Sequence, residues 1–115
     1  MNSDCIFCRI VAREVPATIV HQDERVTAFR DLNPQAPVHL LLVPNQHIAN
    51  TEALEPEHDA VIGQLVRSAG QVARDQGVAE SGYRLVVNTG RDANNLVPHL
   101  HVHLLGGRQL GWPPG

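Results

Sequence analysis

Residues 99 to 104 read His-Leu-His-Val-His-Leu, a strict alternation of imidazole and aliphatic side chains. Period two is the mark of an extended strand, whose successive side chains point to opposite faces. His99, His101 and His103 must then leave one side, and Leu100, Val102 and Leu104 the other. This confines the chain to a sheet with packing behind it and a polar row in front. An ordinary solvent-facing strand would draw on Thr, Lys, Glu and Arg, so three successive histidines point to chemistry. Neighbouring imidazoles on such a row lie roughly 7 Å apart at the Cα, within reach of one small ligand or ion. Two chemistries stay open on the residues alone. One is a three-imidazole metal centre, which would suit zinc. The other is covalent catalysis, in which a neutral imidazole attacks an electrophilic phosphorus. That needs a partner to fix the nucleophile's tautomer and N–H donors for the phosphoryl oxygens. His39, opening an apolar stretch, is a candidate fourth imidazole of the cluster.

At 115 residues the chain is expected to be one domain, 1–115. With 43% apolar and 18% charged residues it has the balance of a globular protein. A net charge of -3 without any Lys/Arg run argues against a long nucleic acid as partner. No apolar run approaches the ~20 residues of a membrane span. The chain opens on Asn2, Ser3 and Asp4 rather than a basic and then apolar leader, so a cytoplasmic location is expected.

The apolar spacing of Ile6, Phe7, Ile10 and Val11 predicts a short helix over 5–13, stopped by Val15-Pro16. Strands are predicted at 18–21, 26–30, 39–43, 84–88 and 98–105. The stretch 31–37 has the proline and Asx chemistry of a loop. The main helix should begin near Pro56, carry an apolar stripe of Ile62, Leu65, Val66, Ala69, Val72 and Ala73, and stop at Gly77. The sum is an α+β fold: an antiparallel sheet of about five strands, one main helix and a short N-terminal helix. A sheet this small leaves an edge that a second subunit could pair with.

Three segments together carry a resemblance: His99-Leu-His101-Val-His103-Leu-Leu-Gly106-Gly107-Arg108, the ending Gly111-Trp112-Pro113-Pro114-Gly115, and Phe29-Arg-Asp31-Leu-Asn-Pro34-Gln-Ala-Pro37-Val-His39. The chain resembles the histidine triad (HIT) family from Ile6-Phe7 to its end, and most closely the histidine triad nucleotide-binding, Hint-like, branch. The resemblance implies a HIT-like homodimer that binds purine nucleoside monophosphates (AMP or GMP) and cleaves phosphoramidates through a nucleotidyl-histidine, with no cofactor needed for catalysis. It makes His101 the nucleophile, His103 a phosphate contact, and His99 and His39 a supporting pair. Asp31 would hold the ribose hydroxyls, and Phe29, Leu32, Ile6, Phe7, Ile10 and Leu41 the base, with Asn88 near the phosphate and Val97 a further nucleotide contact. Asp31 read on its own could instead cap the Asn33-Pro34 turn, and the apolar residues could be plain core. The tail with Trp112 would reach the partner subunit.

Relatives usually carry Gly-Gln-Ser before the histidine strand, the serine helping to protonate the leaving amine. Here the positions read Asn94-Asn95-Leu96, and leucine donates no proton. General acid help is worth roughly 10²–10⁴-fold, so a nucleotide-binding sensor or scaffold with negligible turnover stands beside the phosphoramidase, as does a dinucleoside polyphosphate hydrolase. Some relatives with a Cys5-x-x-Cys8 pair bind zinc, and Cys5, Cys8, His47 and His99 would make a tetrahedral structural set. The alternative reads the cysteines as small buried hydrophobes.

Overall fold

The computed structural model describes residues 4–115; Asn2 and Ser3, part of the polar opening noted above, lie outside them. The elements are helix α1 (Ile6–Val11), strands β1 (Ile19–Gln22), β2 (Val26–Arg30) and β3 (Val38–Pro44), helix α2 (Asp59–Asp75), β4 (Tyr83–Val86) and β5 (Val102–Gly106). The five strands form one antiparallel sheet in the order β1-β2-β3-β5-β4. This is the α+β architecture expected of the sequence.

Alternation along the strands divides the core between the two faces of the sheet. Val26, Ala28, Leu40, Leu42, Val102 and Leu104 point to one side, where Leu65, Ala69, Val72 and Ala73 of α2 cover them. Phe29, Leu41 and Val43 point to the other, against Cys5, Phe7, Cys8 and Ile10 of the first helical segment. Both layers exclude water, which is the main favourable term in holding such a sheet.

The main helix is entered through a 3-10 turn, Pro56–His58, with Pro56 at its start and reciprocal side-chain caps between Glu55 and His58. Its end matches the sequence reading. Gly77 takes φ +77, and the Val78 N–H returns to Ala73 O at 3.0 Å, satisfying a carbonyl the helix leaves unpaired. Val66, counted in the apolar stripe, is instead 50% exposed. It stands one residue, and so about 100° of helix, beyond Leu65, which faces the sheet.

Two boundaries differ in ways that matter. Helix α1 stops at Val11, and Arg13 turns the chain out at φ 60. Strand β5 starts at Val102, where Leu42 is its last partner on β3, rather than at 98. Pro98 has no N–H to give a ladder, and the His99 N–H turns back to Val97 O at 2.9 Å. His99 and His101 therefore precede the ladder.

Candidate active site

On the face of the sheet that carries α1, a cleft of about 370 Å³ opens between that helix, β2, β3 and the approach to β5. Ile6, Phe7 and Ile10 reach it from α1, Phe29 and Leu41 from the sheet, and Leu32 and Val97 from loops. The first five and Leu32 are expected around a base, and Val97 as a further nucleotide contact. Phe7 meets Phe29 edge-on at 5.4 Å and His101 at 5.1 Å, so one ring joins the apolar end to the imidazoles. Leu32, 95% exposed, forms a rim rather than a floor.

Asp31, Asn88, His101 and His103 supply polar groups to the same cleft. Pro16, Ala17, Arg30, Asn94 and Leu96 also line it and were not anticipated as binding residues. The loop residues Pro16 and Ala17 had no periodic signal to find them. Asn94 had a weak one: it sits at φ 58, a left-handed position that asparagine tolerates.

Hydrogen bonds fix the imidazole tautomers. His101 Nδ1 lies 2.7 Å from His99 O. A carbonyl only accepts, so the proton is on Nδ1 and the Nε2 lone pair is free. The Gln35 N–H donates to His39 Nδ1 at 3.0 Å, which puts the His39 proton on Nε2. His39 Nε2–H in turn donates to His103 Nδ1 at 2.9 Å, leaving His103 with its N–H at Nε2. Asp31 does two jobs: Oδ1 accepts the Asn33 N–H at 2.8 Å, and Oδ2 stands 3.4 Å from His39 Nε2. The turn-capping role is thus real without removing the second oxygen from the cleft.

Burial favours the neutral form of His39 and His103. His103 is pushed down to about 4, first by burial and then by His101 and His39. His39 is lowered by burial against the opposing pull of Asp31.

His99 departs from the expected arrangement. It does not pair with His39, which is bonded to His103. The turn at Val97 swings the His99 ring beneath α1, where it is fully buried. His99 Nε2–H donates to Pro44 O at 2.9 Å, so its bare Nδ1 faces Cys5 Sγ at 3.2 Å and Cys8 Sγ at 3.5 Å. His47 Nδ1 lies 3.3 Å from Cys8 Sγ. With both His99 nitrogens and His101 Nδ1 committed in this way, the three histidines do not converge on one ion.

One donor atom from each of Cys5, Cys8, His47 and His99 lies within 4.8 Å of the other three. Two soft sulfurs and two imidazole nitrogens in that space fit a tetrahedral zinc ion. The His99 N–H held by a carbonyl is the usual support for a metal-ligating ring. Burial lowers the pKa of His99, which favours the uncharged ring a metal requires, and raises that of the Cys5 thiol, a cost that a bound cation would offset.

A sequence model of the HIT domain matches residues 12–110. The purine nucleoside phosphoramidase of Escherichia coli K12 is 47% identical over 111 residues, covering 96% of this chain and 93% of that protein. A 14 kDa zinc-binding protein of Zea mays is 46% identical, covering 99% of this chain and 90% of the maize protein. Among solved structures, a HIT family hydrolase from Legionella pneumophila Philadelphia 1 superposes with a TM-score of 0.94 at 44% identity, over 96% of this chain and 99% of that one.

Proposed function

The chain belongs to the HIT family, and from that premise we propose a purine nucleoside phosphoramidase in which His101 is the nucleophile. It is a hydrolase, as its relatives are named. One observation carries the mechanism: the 2.7 Å bond from His101 Nδ1–H to His99 O leaves the Nε2 lone pair as the ring's only nucleophilic atom, in a cleft lined by apolar side chains.

In this reading a purine nucleoside monophosphate derivative, of the AMP or GMP kind, enters with its base among Ile6, Phe7, Ile10, Phe29, Leu32, Leu41 and Val97. Asp31 accepts from the ribose hydroxyls. His101 Nε2 attacks phosphorus, the bond to the leaving amine breaks, and a nucleotidyl-His101 forms. Water then releases the monophosphate and the free imidazole. His103 Nε2–H, set by the relay from Gln35 through His39, donates to a phosphoryl oxygen, and Asn88 lies beside it. His103 is neutral near pH 7, so it stabilises charge without supplying the leaving group's proton. Leu96, at the mouth of the cleft, does not supply it either, so the departing amine takes its proton from water.

The four-residue Cys/His cluster would hold zinc as a closed structural site, all four positions being taken by protein, and would tie α1 to the end of β3 and to His99. A homodimer is the expected assembly, supported by the unpaired edge of β4.

Single-turnover labelling with an adenosine 5′-phosphoramidate tests the mechanism. The wild type should trap adenylate on the protein, and His101→Ala should trap none while still binding AMP. Tight AMP binding with no label in the wild type would favour the sensor reading, to which Leu96 lends support.

A further inference from the structure

His99 belongs to two assemblies at once. Its ring lies in the Cys5, Cys8, His47 group, and its main-chain carbonyl holds the tautomer of His101. We propose that this cluster, when it holds a metal ion, is a positioning device for the nucleophile and acts on it through the His99 main chain. The inference rests on reading His101 as the nucleophile.

The argument begins where the sheet stops. The ladder between β3 and β5 ends at the Leu42–Val102 pair, so His101 is one residue outside it and His99 three. Sheet hydrogen bonds therefore do not fix the carbonyl that orients His101. Other contacts do. The His99 N–H is tied to Val97 O at 2.9 Å and its Nε2–H to Pro44 O at 2.9 Å, while the next N–H, of Leu100, is tied to Ile48 O at 2.6 Å.

Ile48 follows His47, whose ring meets that of His99 edge-on at 4.9 Å. The 47–48 and 99–100 segments are thus joined twice, once through main chain and once through the cluster. Phe7 adds a second path, because it lies between Cys5 and Cys8 on the chain and packs edge-on against both His99, at 5.9 Å, and His101, at 5.1 Å.

Without a metal, the sulfurs and ring nitrogens of the cluster meet through weak contacts of 3.2 to 3.5 Å. A four-coordinate ion would replace them with bonds from one centre to α1, the His47 segment and His99. Residue 99 is then pinned from both ends of its ring, and its carbonyl stays directed at His101 Nδ1. Emptying the cluster removes one of those pins. The His101 ring can then take the other tautomer, placing a proton on the atom that must attack. A displacement of about 1 Å at a reacting centre can cost on the order of 10²-fold.

The test uses the full-length reduced protein, zinc ion as the probe, and two readouts. The first is the ¹⁵N imidazole spectrum of His101, which distinguishes Nδ1–H from Nε2–H. The second is the rate constant for covalent labelling in a single turnover, measured beside AMP affinity. Zinc-loaded protein should show one Nδ1–H tautomer. Chelator-stripped protein should show a mixture and label roughly ten- to a hundredfold more slowly, with AMP affinity, which reads the α1 side of the cleft, falling far less.

Should stripping unfold the chain, His47→Ala removes the one partly exposed ligand and is read in the same way. Failure of the reduced protein to bind zinc would overturn the proposal. So would a His101 tautomer and labelling rate that stay the same after zinc is removed or in folded His47→Ala. If no label forms in any state, the nucleophile assignment fails, and the proposal fails with it even where the tautomer responds to zinc.

Discussion

Gln35, a residue with no titratable group, decides where the proton sits on His103. Its main-chain N–H points at His39 Nδ1, and the choice is relayed through His39 Nε2–H to His103 Nδ1. Replacing His39 by Leu removes the relay and lets His103 turn or change tautomer. Labelling by the phosphoramidate should then slow by roughly 10²-fold, with AMP affinity changed far less, because the lost interaction acts on the phosphoryl oxygens as charge develops. A matching loss in KM alone would assign His39 to packing. Acid stability belongs to the same residues. His103 titrates at about 4 when folded and near 6.5 when unfolded, so below 6.5 the unfolded chain binds a proton that the native chain does not. Stability therefore falls as pH drops from 6.5 towards 4, and is unaffected by His103 above that window. His39 and His99 push in the same direction. Urea midpoints at pH 7 and pH 4.5 should differ less in His103→Asn than in the wild type.

Strand β3 shows the element-level logic most clearly, since alternate residues serve core and cleft. Leu42, fully buried between the sheet and α2, should cost about 2–5 kcal/mol when cut to Ala. Leu32→Ala, at an exposed rim, should stay within about 0.5 kcal/mol of wild type in urea unfolding and weaken nucleotide binding alone. Period-two alternation made β5 readable from the sequence, an apolar run closed by Pro44 made β3 readable, and Gly77 made the end of α2 readable, because these signals are local. The start of β5 was misread for the same reason. Alternation runs unbroken through His99 and His101, yet Pro98 and the turn onto Val97 O keep them off the ladder. Which histidine meets which was hidden as well: the His39–His103 contact joins residues 64 apart, and only strand register brings them together. The Cys/His set was legible through the family resemblance, since nothing local links Cys5 to His99. The cleft-lining role of Pro16 and Ala17 had no pattern to betray it.

On the scale of the whole molecule, large apolar side chains are exposed at the rim of the cleft, on and beside β4, on α2 and in the C-terminal tail. Strand β4 forms an edge of the sheet. Tyr83 on that strand, Val87 just beyond it and Val66 on α2 are 37%, 47% and 50% exposed. Trp112 is 82% exposed, and within the chain its ring meets the Arg84 guanidinium at 6.0 Å, a contact too small to account for so large a side chain. An edge strand with unpaired main-chain groups beside exposed aliphatic and aromatic side chains is a template for a second copy, and symmetry lets β4 pair with itself antiparallel. The chain should sediment as a dimer at micromolar concentration. Val87→Asp places two like charges close together across such a seam, in a site where each would lose water, and should shift the species to a monomer. Because Asn88 follows Val87 and lines the cleft, that monomer should also bind AMP more weakly. A Val87→Asp protein that remains dimeric in sedimentation would move the interface away from β4.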